Sequence, residues 1–455
     1  MAGRRPGTGR CGGCGGNARH VPPAHVPASR LGGTHRGPAV RSLVGWLSAE
    51  VISLAGTRLS MIAIPWLVLT TTGSATLTGL VAFTEMAPYV VAKALGGPII
   101  DRFGARRVIL FADTASVVVV GLVPLLHALD LLHLGALLAI VAVAGVLRGP
   151  GDSAKHALVP DIAEGAGVSL ERVTGLVGVV ERLASTAGAA LAGALVAVVG
   201  PAMALVIDAA SFGISAALIA LTAPRRVHHV EDEDELGYVA RLRSGWQFLR
   251  GDAVLVAMVG MLAVTNLLDQ AYVVVLVPVW AYESGHSVAV VGTLFACFSG
   301  AAVVGSVLAT AIAERLPRFA TYLVAFLVAG APRYVALALD APIPAVLAVG
   351  MAGGFAAGFL NPILGAVIFE RIPKHLIGRV SSLTTSLAWA GIPLGSLAGG
   401  ALVAGVGISP ALLLMGFAYL VATMLPAVRP QWRQIDRQGV EAAAASQPVS
   451  DRTGG

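Results

Sequence analysis

Hydrophobic positions in this chain fall in long continuous blocks cut by short polar interruptions, unlike the alternating ten-residue segments of a membrane β-barrel. Stretches free of Asp, Glu, Lys and Arg run over 183–207, 284–313, 341–369 and 380–428, which are 25, 30, 29 and 49 residues. A helix rising 1.5 Å per residue needs about 20 apolar residues to cross roughly 30 Å of hydrocarbon. The longest block therefore holds two crossings, turned at Gly405-Val-Gly407-Ile-Ser-Pro410. Read this way, the chain is an all-α integral membrane protein. Its twelve transmembrane helices are predicted at 43–70, 76–100, 108–127, 131–150, 171–199, 202–221, 254–282, 288–312, 320–339, 342–368, 380–404 and 411–428.

Composition agrees. Of the 455 residues 56% are hydrophobic and 12% charged, about half the ~25% charge of ordinary soluble domains. A particle with so few charges cannot cover itself against water, so its body must face lipid. The net charge of +6 comes from the front of the chain, where the first 41 residues hold seven Arg and no acid. Basic charge on a tail, rather than on a folded patch, does not point to nucleic acid.

Basic residues also fix an expected orientation. The connections at 101–107, 151–170, 222–253, 313–319 and 369–379 and both tails carry nearly all the basic residues outside the spans. The connections at 71–75, 128–130, 200–201, 283–287, 340–341 and 405–410 have no Lys or Arg. The positive-inside rule then puts both termini in the cytoplasm. The Ala, Gly, Val and Arg bias suggests a GC-rich bacterium and its cytoplasmic (inner) membrane as the location.

The expected organisation is a disordered basic tail (1–42), a first six-helix bundle (43–221), a cytoplasmic linker (222–253), a second six-helix bundle (254–428) and a disordered tail (429–455). The linker joins the acidic run Glu231–Glu235 to an amphipathic surface helix bearing Tyr238, Leu242, Trp246 and Leu249. Cys11 and Cys14 have zinc-pair spacing but lack a second pair, so no metal and no other cofactor is expected.

The chain repeats itself. A shift of 213 places Pro65 on Pro278, Gly79 on Gly292 and Gly145 on Gly358; a shift of 207 places Arg172 on Arg379, Gly188 on Gly395, Gly193 on Gly400 and Gly200 on Gly407. Two parallel six-helix repeats imply a pseudo-two-fold axis along the membrane normal and a cavity between the halves. That is an alternating-access plan, expected to work as a monomer in the bilayer.

The segment Gly97-Pro-Ile-Ile-Asp101-Arg102-Phe103-Gly104-Ala105-Arg106-Arg107 resembles the loop signature of the major facilitator superfamily, and the resemblance covers about residues 43–428. Ala63-Ile-Pro65-Trp66, Ala157-Leu-Val-Pro160-Asp161 and Gly378-Arg379-Val-Ser381-Ser382 are similar to the drug-efflux branch that includes macrolide and enterobactin exporters. The resemblance implies a cytoplasmic gate in which Asp101, Arg106 and Arg148 latch the outward-facing state, with Asp152 as a further partner. The alternative is that Arg102, Arg106, Arg107 and their neighbours only set topology. Gly97 and Gly104 permit the tight turn.

Charges inside spans are costly and are normally kept for a function or a partner. Arg58, Glu85, Glu181, Arg182 and Asp269 lie near mid-depth on spans one, two, five and seven, which the resemblance makes cavity-lining. Asp269 and Glu85 are the leading proton-coupling candidates, with Arg58 or Arg182 as competing cation; permanent ion pairs, such as one made by Glu181, are the alternative. Asp208, Arg333 and Asp113 fall on spans six, nine and three, expected to be peripheral, and Glu50 and Lys93 lie where they can snorkel.

The superfamily's antiporter signature, Gly-x-x-x-Gly-Pro-x-x-Gly-Gly, reads Ala184-x-x-x-Gly188-Ala189-x-x-Ala192-Gly193 in span five and Gly391-x-x-x-Gly395-Ser396-x-x-Gly399-Gly400 in span eleven. Both are small-residue packing patterns. No Gly-Lys phosphate cradle and no convergent His, Cys or acid cluster is present, so neither an ATP-driven pump nor an enzyme is expected. The expected function is proton-driven export of a hydrophobic or amphipathic small molecule of drug, antibiotic or siderophore type. A proton-coupled uptake symporter and a non-transporting receptor are the alternatives.

Overall fold

The computed structural model describes residues 36–223, 238–312, 316–373 and 376–428. Cys11, Cys14, the acidic run Glu231–Glu235 and the tail beyond 428 lie outside the described residues. Among the described residues every regular element is helical, and twelve helices are long and apolar enough to cross a membrane. They are Arg41–Thr72, Ala75–Ala94, Ala105–Ala128, Leu134–Ala166, Arg172–Val199, Pro201–Thr222, Ala253–Glu283, Val288–Ile312, Arg318–Ala338, Ile343–Gly365, Leu383–Val406 and Ile408–Leu425, called spans 1 to 12 below. The first helix begins at Arg36, ahead of the expected start of the membrane body.

Two departures from the predicted boundaries matter. Span 4 was expected to end at Pro150, but the helix Leu134–Ala157 passes through it. Proline in a membrane helix is tolerated because neighbours re-satisfy the freed carbonyl. Residues 151–157, read from the sequence as loop, are therefore helical and reach the interior. Span 7 contains a widened turn at Tyr272–Leu276, just before Pro278. A proline at 278 has no N–H to return to the carbonyl of Val274, and the turn relaxes around that missing bond.

The sequence repeat is realised as a pair of matched crossings between the halves. A Cβ on Gly193 of span 5 would stand 2.6 Å from the Cα of Gly292 on span 8. A Cβ on Gly400 of span 11 would stand 3.3 Å from the Cα of Gly79 on span 2. These are the residues that the two shifts equate, so each crossing is the symmetry mate of the other. Glycine is required because backbone meets backbone. The turns into spans 6 and 12 are matched too: Gly200 and Gly407 have φ of 84° and 82°, left-handed conformations that favour glycine.

Both crossings lie at the end of the bundle away from the helix Tyr238–Gly251 that precedes span 7. They close that far end. At the other end, here the linker end, spans 1, 2, 4, 5, 7 and 11 diverge around a cavity of about 570 Å³. The linker-end helix presents Trp246 outward at 42% exposure and buries Leu249 at 2%, which divides it into an outer and a packed face.

Candidate functional site

The cavity wall is chemically lopsided. Spans 1, 2, 4 and 5 contribute Glu50, Arg58, Glu85, Lys93, Arg148, Asp152, Lys155, His156 and Glu181; spans 7 and 11 contribute Gln270, Trp389 and Ile392. Leu54, Met61 and Met86 supply apolar wall between the charges.

At its centre Arg148 Nη1 donates to Glu85 Oε1 at 2.8 Å, with the two side chains 13% and 16% exposed. Span 4 can bring Arg148 this close because Gly145, one turn earlier, lies against the span 2 backbone: a Cβ there would stand 3.2 Å from Tyr89 N. Tyr89 OH donates to Asp152 Oδ2 at 3.1 Å and accepts from Lys93 Nζ at 3.1 Å. The Arg148 guanidinium also lies 5.8 Å from the Tyr89 ring centroid. A charge-assisted hydrogen bond between two poorly hydrated partners is strong when made and costly to leave half-made.

From the wall inward to the bundle, Lys155 Nζ donates to Ser53 Oγ at 2.6 Å and lies 3.8 Å from Asp113 Oδ1, and Ser215 Oγ donates to Asp113 Oδ2 at 2.7 Å. This chain joins spans 4, 1, 3 and 6. Asp208 accepts from the Ser60 and Ser211 hydroxyls beside Gly56.

The sequence-predicted residues are distributed as follows. Glu85 and Arg58 line the cavity, and Glu85 is held by Arg148. Arg58 Cγ lies against Gly188, where a Cβ would stand 3.2 Å away, and its Nη1 reaches Met61 Sδ at 3.5 Å. Glu181 lies 3.9 Å from His156, both about half exposed. The side chain of Arg182 lies outside the described residues, as do those of Arg379, Ser381 and Ser382.

Asp269 pairs with Arg333 of span 9, a residue expected to be peripheral. Arg333 is buried, 4.6, 5.2, 5.4 and 5.6 Å from the ring centroids of Tyr272, Tyr334, Tyr419 and Phe298. Span 9 was read as peripheral from the resemblance alone; its break at Gly330 and the span 7 bulge bring the pair together.

Among the described residues Asp101 has no ion-pair partner and is exposed, as are Arg102 and Arg107. Arg106 donates to the Ala220 carbonyl at 2.7 Å, and Arg102 lies over Phe103. Gly97 has open space around it, and Gly104, at φ 81°, makes the turn into span 3. Arg148 and Asp152 face the cavity, so the proposed latch residues stand apart in this conformation. Gly391, Gly395 and Gly399 pack span 11 on span 7, against Ala263, Leu267 and Ala271.

Sequence reasoning missed Lys155 and His156 as cavity residues, while Tyr89 and Trp389 stood among several embedded aromatics suited to a hydrophobic or amphipathic solute. Ending span 4 at Pro150 hid the first two; a lone aromatic in an apolar run carries no signal that separates cavity from lipid.

Comparison with known proteins gives a consistent picture. The family model described as Major Facilitator Superfamily matches residues 46–283 and 259–447. The chain is 32% identical over 412 residues to the protein named multidrug efflux pump Tap of Mycobacterium tuberculosis (strain ATCC 25618 / H37Rv), covering 89% of this chain and 96% of that one. It is 28% identical over 413 residues to the Mycolicibacterium fortuitum protein of the same name, covering 89% and 98%. Among solved structures it superposes on the nucleoside transporter NupG at a TM-score of 0.66 with 13% identity, covering 86% and 98%. On the D-xylose-proton symporter the TM-score is 0.65 with 14% identity, covering 84% and 96%. Matched halves, a cavity between them and family-model matches reaching both place this chain in the Major Facilitator Superfamily.

Proposed function

We propose that this chain is a secondary transporter that exports hydrophobic or amphipathic small molecules, of drug, antibiotic or siderophore type, in exchange for protons. The observation that carries the reading is the Glu85–Arg148 pair in the wall of the cavity between the halves; the two efflux-pump relatives support the direction. The membrane is the bacterial cytoplasmic membrane, both termini and the linker end face the cytoplasm, and the working unit is the monomer.

In this arrangement the described conformation is open to the cytoplasm and closed outside by the glycine crossings. The Glu85 carboxylate paired with Arg148 is the form left once the proton has gone to the cytoplasm, and it leaves the cavity ready for substrate. In the outward-facing form a proton on Glu85 neutralises the carboxylate and frees Arg148. The transported proton and substrate thus occupy the cavity alternately. Glu181 is a secondary candidate for this role, and Arg58 is a candidate for the competing cation. The loop carrying Asp101 and Arg106 closes the cytoplasmic end in the alternate form. Asp101→Asn is expected to insert normally and lose most transport; wild-type flux in that variant would remove the latch.

The coupling test uses everted vesicles with an acid interior. Wild-type protein should concentrate a fluorescent drug inside. Glu85→Gln should abolish this pH-driven uptake while retaining drug–drug exchange. Full pH-driven accumulation in Glu85→Gln would overturn the assignment, and flux in the opposite direction would make the chain an uptake symporter.

A further inference from the structure

Lys93 lies at the linker end of span 2, where a lysine normally extends its stem toward headgroups and water. Here it turns into the cavity instead. Its ammonium sits 4.7 Å from the ring centroid of Trp389, on span 11 of the other half, and 5.3 Å from that of Tyr89. It donates to Tyr89 OH at 3.1 Å, and among the described residues no carboxylate is within ion-pair distance of it. The side chain therefore places a primary ammonium on an aromatic platform built from both halves. Such a platform attracts a cation through the ring quadrupoles, most strongly where water is scarce.

A second observation points to a ligand in the same cavity. Glu50 lines it, is only 6% exposed, and its Oε2 has no hydrogen-bond partner among the described residues. A buried acceptor left unmatched is a standing cost that a donor entering the cavity would relieve. Around these groups Leu54, Met61, Met86 and Ile392 provide an apolar lining, with two thioethers able to adapt to different shapes. The volume of about 570 Å³ suits a drug-sized molecule.

Resting on the transporter reading above, we propose that Trp389, Tyr89 and Glu50 form the recognition site for the ammonium group of an amphipathic amine, and that Lys93 is a tethered occupant which the amine displaces. The exchange is favourable because the incoming amine brings an apolar body to the Leu54, Met61, Met86 and Ile392 wall, which a lysine stem cannot cover. The displaced Lys93 regains water at the cavity mouth. A neutral amphiphile gains the apolar contact but not the platform.

The test is equilibrium fluorescence binding to the full chain in lipid nanodiscs with three probes sharing a dansyl group and a five-carbon arm. The arms end in a primary ammonium, an alcohol or a carboxylate. Wild-type protein should prefer the ammonium probe to the alcohol. Lys93→Met should tighten the ammonium probe by about threefold to tenfold and leave the alcohol within about twofold, the range set by one ring–cation contact. Trp389→Leu should weaken the ammonium probe by about fivefold or more, with Trp389→Phe recovering most of it. Equal shifts for ammonium and alcohol, or no wild-type preference, would overturn the proposal. Loss of the carboxylate probe alone in Lys93→Met would also overturn it, making Lys93 an anion receptor. Binding is read without transport, so ammonium preference with no pH-driven export sinks the export reading and spares the site, while export without that preference does the reverse.

Discussion

The two halves of the molecule share one backbone plan and bury different chemistry. The first half keeps its ionisable groups at the cavity: Glu85 with Arg148 in the wall, and Lys155 reaching from the wall to Ser53 and Asp113. The second half lends the cavity Gln270, Trp389 and Ile392, and sets Arg333, paired with Asp269, among aromatic rings. Under the shift of 213, Glu85 corresponds to Phe298 and Arg148 to Asn361. Where one half carries the wall carboxylate, the other carries a ring that stacks on Arg333. The shifts keep the glycines that need close backbone contact and pair unlike residues at Glu85 and Arg148, so under the proposed function one half is the machinery and the other the frame.

The sharpest way to break this comparison is at the shared positions. Gly193→Leu and Gly400→Leu each push a branched side chain into a crossing with no room for a Cβ, on opposite sides of the pseudo-axis. Both should reduce drug flux at least about tenfold and expose cysteines introduced at the far end to membrane-impermeant reagents, since overpacking of this kind costs about 1–3 kcal/mol or more. Similar losses in the two variants would confirm that the crossings are equivalent; a large loss in one and none in the other would show that the halves seal independently.

The repeat was legible in the sequence, with Gly79, Gly193, Gly292 and Gly400 among its matches; which of these glycines face one another was not. The span count was legible too, since charge is excluded from lipid wherever it has no partner. Partners themselves were not. Glu85 and Arg148 are 63 positions apart, and Asp269 and Arg333 are 64; no local period links residues on different helices. Arg333 was assigned to the periphery by its span number, whereas a broken helix at Gly330 and the span 7 bulge set its true environment. Lys155 was hidden by a proline rule that holds in water and weakens in lipid.

The Asp269–Arg333 pair separates machinery from frame. Asp269→Asn leaves the buried Arg333 without its counterpart, at a cost of about 3–5 kcal/mol for such a charge, whereas Arg333→Met leaves Asp269, 39% exposed, where water can reach it and costs less. Both single variants should therefore lower the thermal midpoint and the yield of folded protein. The double variant should recover much of that loss, while flux per folded molecule stays within about threefold of wild type. Loss of proton coupling in a well-folded Asp269→Asn protein would instead give the second half a share of the machinery and erase the contrast.

The smallest effect belongs to the rim of the second half. Arg318 donates to both oxygens of Glu370 at 2.6 and 2.8 Å, shorter in one arm than the single 2.8 Å contact of Arg148 with Glu85. Ranked on geometry alone the rim pair would be the stronger one. Exposure reverses that order, because the Glu370 side chain is 39% exposed against 16% for Glu85, and water and salt screen what they can reach. The Arg318 hydrogen bonds still hold the Glu370 carboxyl below its ordinary value, against a smaller opposing push from burial. A carboxyl lowered on folding contributes stability above its unfolded value, near 4.5, and loses it as pH falls through the folded value. Glu370→Gln should thus cost well under about 1 kcal/mol at neutral pH and low salt. The difference from wild type in thermal midpoint should shrink both in high salt and on acidification below the ordinary carboxylate range. A deficit that persists unchanged in acid would mean that Glu370 acts through packing rather than charge, and the rim would then belong with the frame that the aromatic rings around Arg333 define.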